Sequence, residues 1–258
     1  MIESMQHKLQ IIPIPAFKDN YIWLLHNGTK AVIVDPGDAA PVIATLNQLS
    51  LSLSAILVTH HHHDHIGGVS TLLKHYSNAA IYAPRYENYN FKHHPVSEPN
   101  TVSLPEFGLD FSVIDLPGHT LGHIAYYSPD ILFCGDTLFG AGCGRLFEGT
   151  PEQMFNSLKK LADLPPTTKV YCTHEYTLHN INFALFLEPN NTDLLQRKYD
   201  TEKLRHASEP SLPSTLILEL ATNPFLRCTN PEILLSLQLG NIPPLEVFKT
   251  IREMRNHY

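Results

Sequence analysis

The densest chemistry in this chain is the run Thr59-His60-His61-His62-His63-Asp64-His65-Ile66-Gly67-Gly68, directly after the apolar stretch Ala55-Val58. In extended backbone, alternate side chains share a side, so His60, His62 and Asp64 can converge while His61 and His63 point elsewhere. His65 joins them if the chain turns, and Gly67 and Gly68 supply the freedom to turn. Imidazole with carboxylate suits zinc, iron or manganese better than the all-oxygen sites of calcium or magnesium. The bland alternative is a surface histidine patch or an expression tag, but tags are terminal and uninterrupted, whereas this run is internal and broken by Asp64.

Three later β-like runs each end in a further candidate ligand. Phe111-Asp115 leads to Pro117-Gly118-His119, Ile131-Phe133 to Gly135-Asp136, and Lys169-Cys172 to His174. Taken singly, each is as well explained as a satisfied polar residue at a sheet edge. Together they read as strands of one sheet presenting their ends along a common rim, where rigid elements give a metal site its precision. His60, His62, Asp64, His65, His119, Asp136 and His174 make seven ligands. One zinc takes about four, with water in one position of a catalytic site, so seven imply two ions about 3.5–4 Å apart.

Around these candidate ligands, residues 8 to about 172 alternate short β-rich runs with turns and with three amphipathic stretches, Ala39-Gln48, Gly68-His75 and Pro151-Leu161. After about residue 175 the strand signals stop. Helical patterns follow over Leu178-Leu187, Asp193-Ala207, Ser214-Leu220, Glu232-Leu239 and Leu245-Met254, punctuated by prolines. An α+β fold is expected, with a domain boundary near residue 173: a sheet-rich domain over 1–173 and a smaller all-α domain over 174–258.

The chain has 258 residues, 43% hydrophobic and 17% charged, with a net charge of −7 when its 16 histidines are neutral. That composition fits a folded enzyme and lacks the global basic field that draws proteins onto nucleic acid. Cys134, Cys143, Cys172 and Cys228 show no paired short spacing and read as reduced thiols. Met1 to Gln10 lacks the basic start and apolar run of a secretory signal, and no later stretch is long enough to span a membrane. A cytoplasmic protein is expected.

The His-x-His-x-Asp-His pattern of His60 to His65 resembles the signature of the metallo-β-lactamase superfamily. The finer resemblance is to glyoxalase II, the hydroxyacylglutathione hydrolases, and it covers nearly the whole chain. It is carried by Phe17-Lys18-Asp19-Asn20-Tyr21, Asp35-Pro36-Gly37, Pro117-Gly118-His119-Thr120 and Gly135-Asp136-Thr137-Leu138-Phe139. It continues through Gly142-Cys143-Gly144-Arg145, Phe147-Glu148-Gly149-Thr150, His174-Glu175-Tyr176-Thr177 and Ala221-Thr222-Asn223-Pro224-Phe225-Leu226-Arg227. The last motif bears most on specificity, because many other superfamily members lack a helical C-terminal region.

The resemblance implies a four-layer αβ/βα sandwich followed by a helical domain that contributes to glutathione binding. It assigns His60, His62 and His119 to one metal, Asp64, His65 and His174 to a second, and Asp136 to both. Arg145, Tyr176, Arg252 and Arg255 match positions where the family holds glutathione. Arg145 and Arg255 stand where some members have lysine, and Phe147 where some have tyrosine. The implied cofactors are two divalent ions, zinc first, with iron or manganese as alternatives. The implied reaction is hydrolysis of S-(2-hydroxyacyl)glutathione, S-D-lactoylglutathione above all, the second step of methylglyoxal removal.

The chemistry agrees with the residues. Water between two such ions is far more acidic than bulk water, since even a single catalytic zinc brings the pKa of its water down to about 7. Such water would supply the nucleophile expected for a thioester carbonyl, and a thiolate with a pKa of about 8.5 would leave without a dedicated acid. Asp64 and Asp136 are the carboxylates expected at the reaction, with Asp136 also orienting the water. Because glutathione is anionic, an acidic protein must gather positive charge locally, and Arg145, Lys249, Arg252 and Arg255 are candidates.

Two rival activities share this superfamily: a glutathione persulfide dioxygenase with mononuclear iron, and a metal-dependent RNA phosphodiesterase. Two full ligand sets and the long helical C-terminus count against the first. The acidic balance and Asn223-Pro224-Phe225 count against the second. A non-catalytic metal-binding scaffold is a third reading, disfavoured because all seven ligands are present. The partner is thus a small molecule, with neither nucleic acid nor membrane, and the family implies a monomer.

Overall fold

The computed structural model describes residues 9–258, so of the Met1–Gln10 stretch judged for a secretory signal, residues 1–8 lie outside the described residues. Contacts divide the chain into two compact units: residues up to Ile114 with Tyr126–Ser128, and Asp115–Ala125 with Pro129–Tyr258.

The first unit is built on a six-stranded sheet. Its strands are β1 Gln10–Ala16, β2 Asn20–His26, β3 Lys30–Val34, β4 Ser52–Leu57, β5 Ala80–Pro84 and β6 His94–Val96, paired in that order. The first three run antiparallel and the β3–β4, β4–β5 and β5–β6 pairs run parallel. Asn-Tyr-Ile-Trp-Leu-Leu-His in β2 is buried along its whole length, which is why it reads as a continuous apolar run and not as an alternating one. Helix α1 Ala39–Gln48 supplies the crossover that a parallel β3–β4 pair requires. Asp38 caps it by accepting from the Ala40 N–H at 2.9 Å, and Ala39, Val42 and Leu46 form its buried stripe. The short α2 His63–Ile66 and α3 Val69–His75 follow β4; β7 Thr101–Leu104 and β8 Leu109–Asp115 form an antiparallel pair; β9 is Ile124–Ser128.

The second unit holds β10 Ile131–Gly135, the hairpin of β11 Leu138–Phe139 and β12 Gly142–Cys143, α4 Pro151–Ala162 and β13 Lys169–Cys172. Then come α5 Thr177–Leu187, α6 Thr192–His206, β14 Ser214–Thr215, α7 Leu216–Thr222, α8 Pro231–Ser236 and α9 Pro244–His257. Strands β10 and β13 are parallel neighbours, and β14 adds antiparallel to β13. The sequence start of α4 is legible because Thr150 and Gln153 form a reciprocal capping box with Pro151 at the first helical position. In α9, Phe248 packs its ring 5.7 Å from Phe155 of α4 and 5.8 Å from Phe225.

Strand gives way to helix where the sequence places the change, since β13 ends at Cys172 and everything beyond is helical or irregular except the two-residue β14. The expected helix over Ser214-Leu220 opens instead as β14, because Ser214 and Thr215 pair with Val170 and Lys169. The division into units follows contacts rather than that change, and cuts within the stretch 1–173. No helix among the described residues is long and apolar enough to cross a membrane.

Candidate metal centre

In the first unit the histidine run leaves β4 at Leu57 and passes through irregular backbone before turning helical at His63. This corrects the extended reading: Asp64 and His65 sit on α2, and the turn brings His65 in. His60 Nε2 lies 3.0 Å from His62 Nδ1, the His60 and His65 ring centres are 4.0 Å apart, and His65 Nε2 lies 3.6 Å from Asp64 Oδ2. His61 turns to Glu87, with Nδ1 3.3 Å from Oε2.

What fixes these rings is Asp35, buried at the end of β3 in the left-handed conformation (φ 52°) that aspartate tolerates better than most residues. Its Oδ1 accepts from the Thr59 N–H at 2.7 Å. Its Oδ2 accepts from the Thr59 hydroxyl at 2.7 Å and lies 3.0 Å from His65 Nδ1. A carboxylate can only accept, so the proton sits on Nδ1 of His65 and the acceptor nitrogen is Nε2, the one facing Asp64. Thr59 Oγ1 in turn lies 3.1 Å from His60 Nδ1. Gly37 lets the turn after β3 approach α2, because a Cβ there would sit 2.0 Å from the Asp64 carbonyl oxygen. Asn20 Nδ2 donates to Asp64 Oδ2 at 2.9 Å.

In the second unit, Asp136 and His174 follow the adjacent carboxyl ends of the parallel pair β10 and β13, where Gly135 is in register with Cys172. His174 Nε2 and His119 Nε2 lie 3.3 and 3.5 Å from the same oxygen, Asp136 Oδ2. All three residues are buried. His119 Nδ1 lies 2.8 Å from the Arg145 carbonyl oxygen, another pure acceptor, so here too the acceptor nitrogen is Nε2. Gly118 is required before it: φ is 154° and a Cβ would lie 2.8 Å from that of Met154. The Asp136 backbone N–H donates to His123 Nε2 at 3.1 Å, and the Tyr176 ring stacks on His174 at 4.7 Å.

Within each unit the expected ligands lie close together. Their donor chemistry, neutral imidazole and carboxylate with the His65 and His119 tautomers set by a carboxylate and a carbonyl, suits a borderline divalent cation. They come from different sheets, since β4 belongs to the first sheet while β10 and β13 are neighbours in another. The expectation of one sheet holds for the later runs at β10 and β13, while β4, which leads into the histidine run, lies in a different sheet.

Beside His119 and Asp136 the second unit has a cavity of about 380 Å³, of ordinary size for a small-molecule site. Arg145, Tyr176, Arg252 and Arg255 all line it, with Phe139, Cys143, Phe147, His179 and Asn180. Lys249 does not; it is paired with Glu246 at 2.7 Å. Burial first, then the neighbouring Arg252 and Arg145, hold the Arg255 guanidinium below its ordinary pKa. Positive charge so concentrated favours an anionic ligand.

The arginines differ in how they are used. Arg252 is 4% exposed; its Nη1 donates to the carbonyls of Cys143 and Gly144 at 2.9 and 3.3 Å, and its Nη2 to Asn256. Arg255 directs Nε and Nη2 at Asn180 Oδ1, at 3.3 and 3.0 Å. Asn180 and Asn223 hold the hairpin loop before Arg145. Asn180 Nδ2 donates to the Gly140 carbonyl at 3.0 Å, and Asn223 Nδ2 to those of Phe139 and Gly142 at 3.2 and 2.9 Å. Glu219, buried and paired with Arg197, accepts from the Ala141 N–H at 2.9 Å.

Comparison with known proteins decides the family. Residues 17–174 match the metallo-beta-lactamase superfamily and residues 175–258 match the hydroxyacylglutathione hydrolase C-terminus. A hydroxyacylglutathione hydrolase of Methylobacillus flagellatus is 56% identical over 96% of this chain and 99% of its own length. The chain belongs to the hydroxyacylglutathione hydrolases. Among solved structures, TTHA1623 in a di-iron-bound form is 28% identical, with a TM-score of 0.61 over 83% of this chain and all of that one. ETHE1 from Myxococcus xanthus, at 22% identity and TM-score 0.63 over 96% of this chain and 97% of its own, shares the fold. The fold is therefore the α+β metallo-β-lactamase type with the family's helical C-terminal region.

In the sequence, Asp35, Thr59 and Asn223 stand inside motifs that give them no role, and His123 and Asn180 stand in none. Only Asp35 had a local signal, an acidic residue between a strand and Pro-Gly. The hydrogen bonds of Asn180 and Asn223 reach 40 or more residues along the chain, to backbone that no pattern announces.

Proposed function

We propose that this chain hydrolyses S-(2-hydroxyacyl)glutathione thioesters, S-D-lactoylglutathione foremost, to glutathione and the hydroxy acid. The observation that carries the reading is one cavity lined at once by two candidate ligands, His119 and Asp136, and by three guanidinium groups. Such a cavity joins a place for a carbonyl near metal with a place for the carboxylates of a peptide thiol.

His60, His62 and His119 would hold one divalent ion and Asp64, His65 and His174 a second, with Asp136 shared and zinc the first choice for both. Bound there, the ions supply Lewis acidity and water acidic enough to be deprotonated near neutral pH. The chain's own part begins with Asp35 and the Arg145 carbonyl, which hold His65 and His119 in the ligating tautomer. Asp136 orients the attacking water through its carboxylate, and Asp64 completes the second ligand set. Arg145 and Arg255 hold the peptide carboxylates; Arg252 adds charge and fixes the backbone that carries Arg145. Tyr176 packs His174 and borders the same cavity. Phe147 brings no hydroxyl to the peptide, and its ring lies against His119 at 5.2 Å. The thiolate leaves unaided because its pKa is near about 8.5.

We read 1–173 as the catalytic domain and 174–258 as a helical domain serving glutathione binding. The net charge of −7 speaks against nucleic acid as substrate, and with the family resemblance we read the chain as a cytoplasmic monomer acting on a small molecule. The test is hydrolysis of S-D-lactoylglutathione with elemental analysis of the same sample. Turnover with close to two ions per chain is expected; a fully loaded protein inert toward the thioester would end the proposal.

A further inference from the structure

Among the described residues that line the basic cavity, His179 is the histidine that neither the ligand sets nor the arginines account for; Cys143 and Tyr176 are the other titratable groups outside those two classes. His179 is exposed on α5, five residues beyond His174, and lines the cavity beside Asn180 and Arg255. Its ring lies 5.9 Å from that of Tyr258, which ends α9, the helix carrying Arg252 and Arg255.

The donors around it are largely committed to the protein. Arg252 gives both Nη groups to Cys143, Gly144 and Asn256, and Arg255 gives Nε and Nη2 to Asn180. Their charge still attracts an anion, but for direct hydrogen bonds to two carboxylates the arginines offer few donors beyond Arg145, Arg255 Nη1 and the buried Arg252 Nε. An imidazole at the rim supplies another, and a charged one when protonated.

We infer that His179 is a specificity-determining residue that donates to a peptide carboxylate of the glutathione moiety and couples thioester binding to proton uptake. The inference rests on the thioester reading above. Among the described residues, the charged groups sharing the cavity with His179 are Arg252 and Arg255 from α9 and Arg145 from the segment after β12; Cys143 and Tyr176 are further titratable lining groups, and Tyr258 is the ring neighbour. His119 and the one acidic lining residue among them, Asp136, belong to the ligand end. Burial, and then Arg255, hold the imidazole below its ordinary pKa of 6.5, and a carboxylate arriving at its edge opposes both effects. By linkage, protonation then tightens binding by the same factor that binding favours protonation.

The experiment is calorimetric titration of the metal-loaded enzyme with S-methylglutathione, which keeps both carboxylates but has no thioester. Wild type and His179→Gln are compared at about pH 6 and about pH 8.5, with His179→Asn as a second variant. At the lower pH the variants should bind about threefold to tenfold more weakly than wild type, and at the higher pH within about twofold. With S-D-lactoylglutathione the difference should appear in KM, with kcat within about twofold. Equal affinities of wild type and both variants at the lower pH overturn the role of His179 and leave the thioester reading intact. A wild-type enzyme that neither binds the analogue nor cleaves the thioester overturns both.

Discussion

Replacing Asp35 by Asn keeps size and shape while turning one acceptor oxygen into a donor. The amide cannot place its nitrogen toward the Thr59 backbone N–H, now 2.7 Å from Oδ1, because two donors would meet. The nitrogen must therefore take the Oδ2 side, facing the Thr59 hydroxyl at 2.7 Å and His65 Nδ1 at 3.0 Å. The hydroxyl can rotate to accept. The imidazole can accept only by moving its proton to Nε2, the nitrogen assigned to a metal, and a protonated nitrogen does not ligate. Loss of such an outer partner typically costs 10–100-fold in metal affinity, or about 1.4–2.7 kcal/mol. Chelator competition on wild type and Asp35→Asn measures this directly, and the deficit should fall on one ion of the two. Affinities equal within about twofold for both ions would refute the tautomer argument.

Arg255→Ala should raise KM for the thioester about tenfold with metal content unchanged, which steady-state kinetics with elemental analysis would show. Arg252→Ala removes the donor for two carbonyls in a buried setting and should lower stability in urea by about 2–4 kcal/mol, besides weakening binding. Leu46→Ala, in the core of the first unit, should cost about 2–5 kcal/mol by the same measurement with no effect on KM. His26 is buried and its pKa lies below 6.5, so the unfolded chain takes up its proton first as pH falls. Its contribution is therefore full above about pH 6.5 and is lost on descending through the depressed folded value; His26→Gln should flatten the acid side of a Tm against pH curve.

Much of this was legible in advance because it is local. The α1 boundaries follow from Asp38 and an apolar stripe, those of α4 from Thr150, Pro151 and Gln153, and β2 and β3 from unbroken apolar runs. The seven ligands stood out because each follows a strand-like run. What escaped has little side-chain signature: β7 is four residues long, and β11 and β12 are two residues each. Asp64 could not be placed on a helix either, since α2 has four residues, too few to show a period. The family resemblance points to Arg252, whose spacing alone fits a solvated helix face, but not to its nitrogens facing backbone carbonyls, because spacing says nothing about where a long side chain is consumed.

The backbone from Phe139 to Gly144 is tethered by Asn180, Glu219, Asn223 and Arg252, which stand on or just beyond three different helices. A graft that swaps the last eighty residues for those of a distant relative would therefore have to bring equivalent tethers with it. Without them, Arg145 would sit on unanchored chain, however faithfully the guanidinium itself were retained. Altered preference among acyl thiols is better sought by changing lining side chains one at a time, with these anchors left in place.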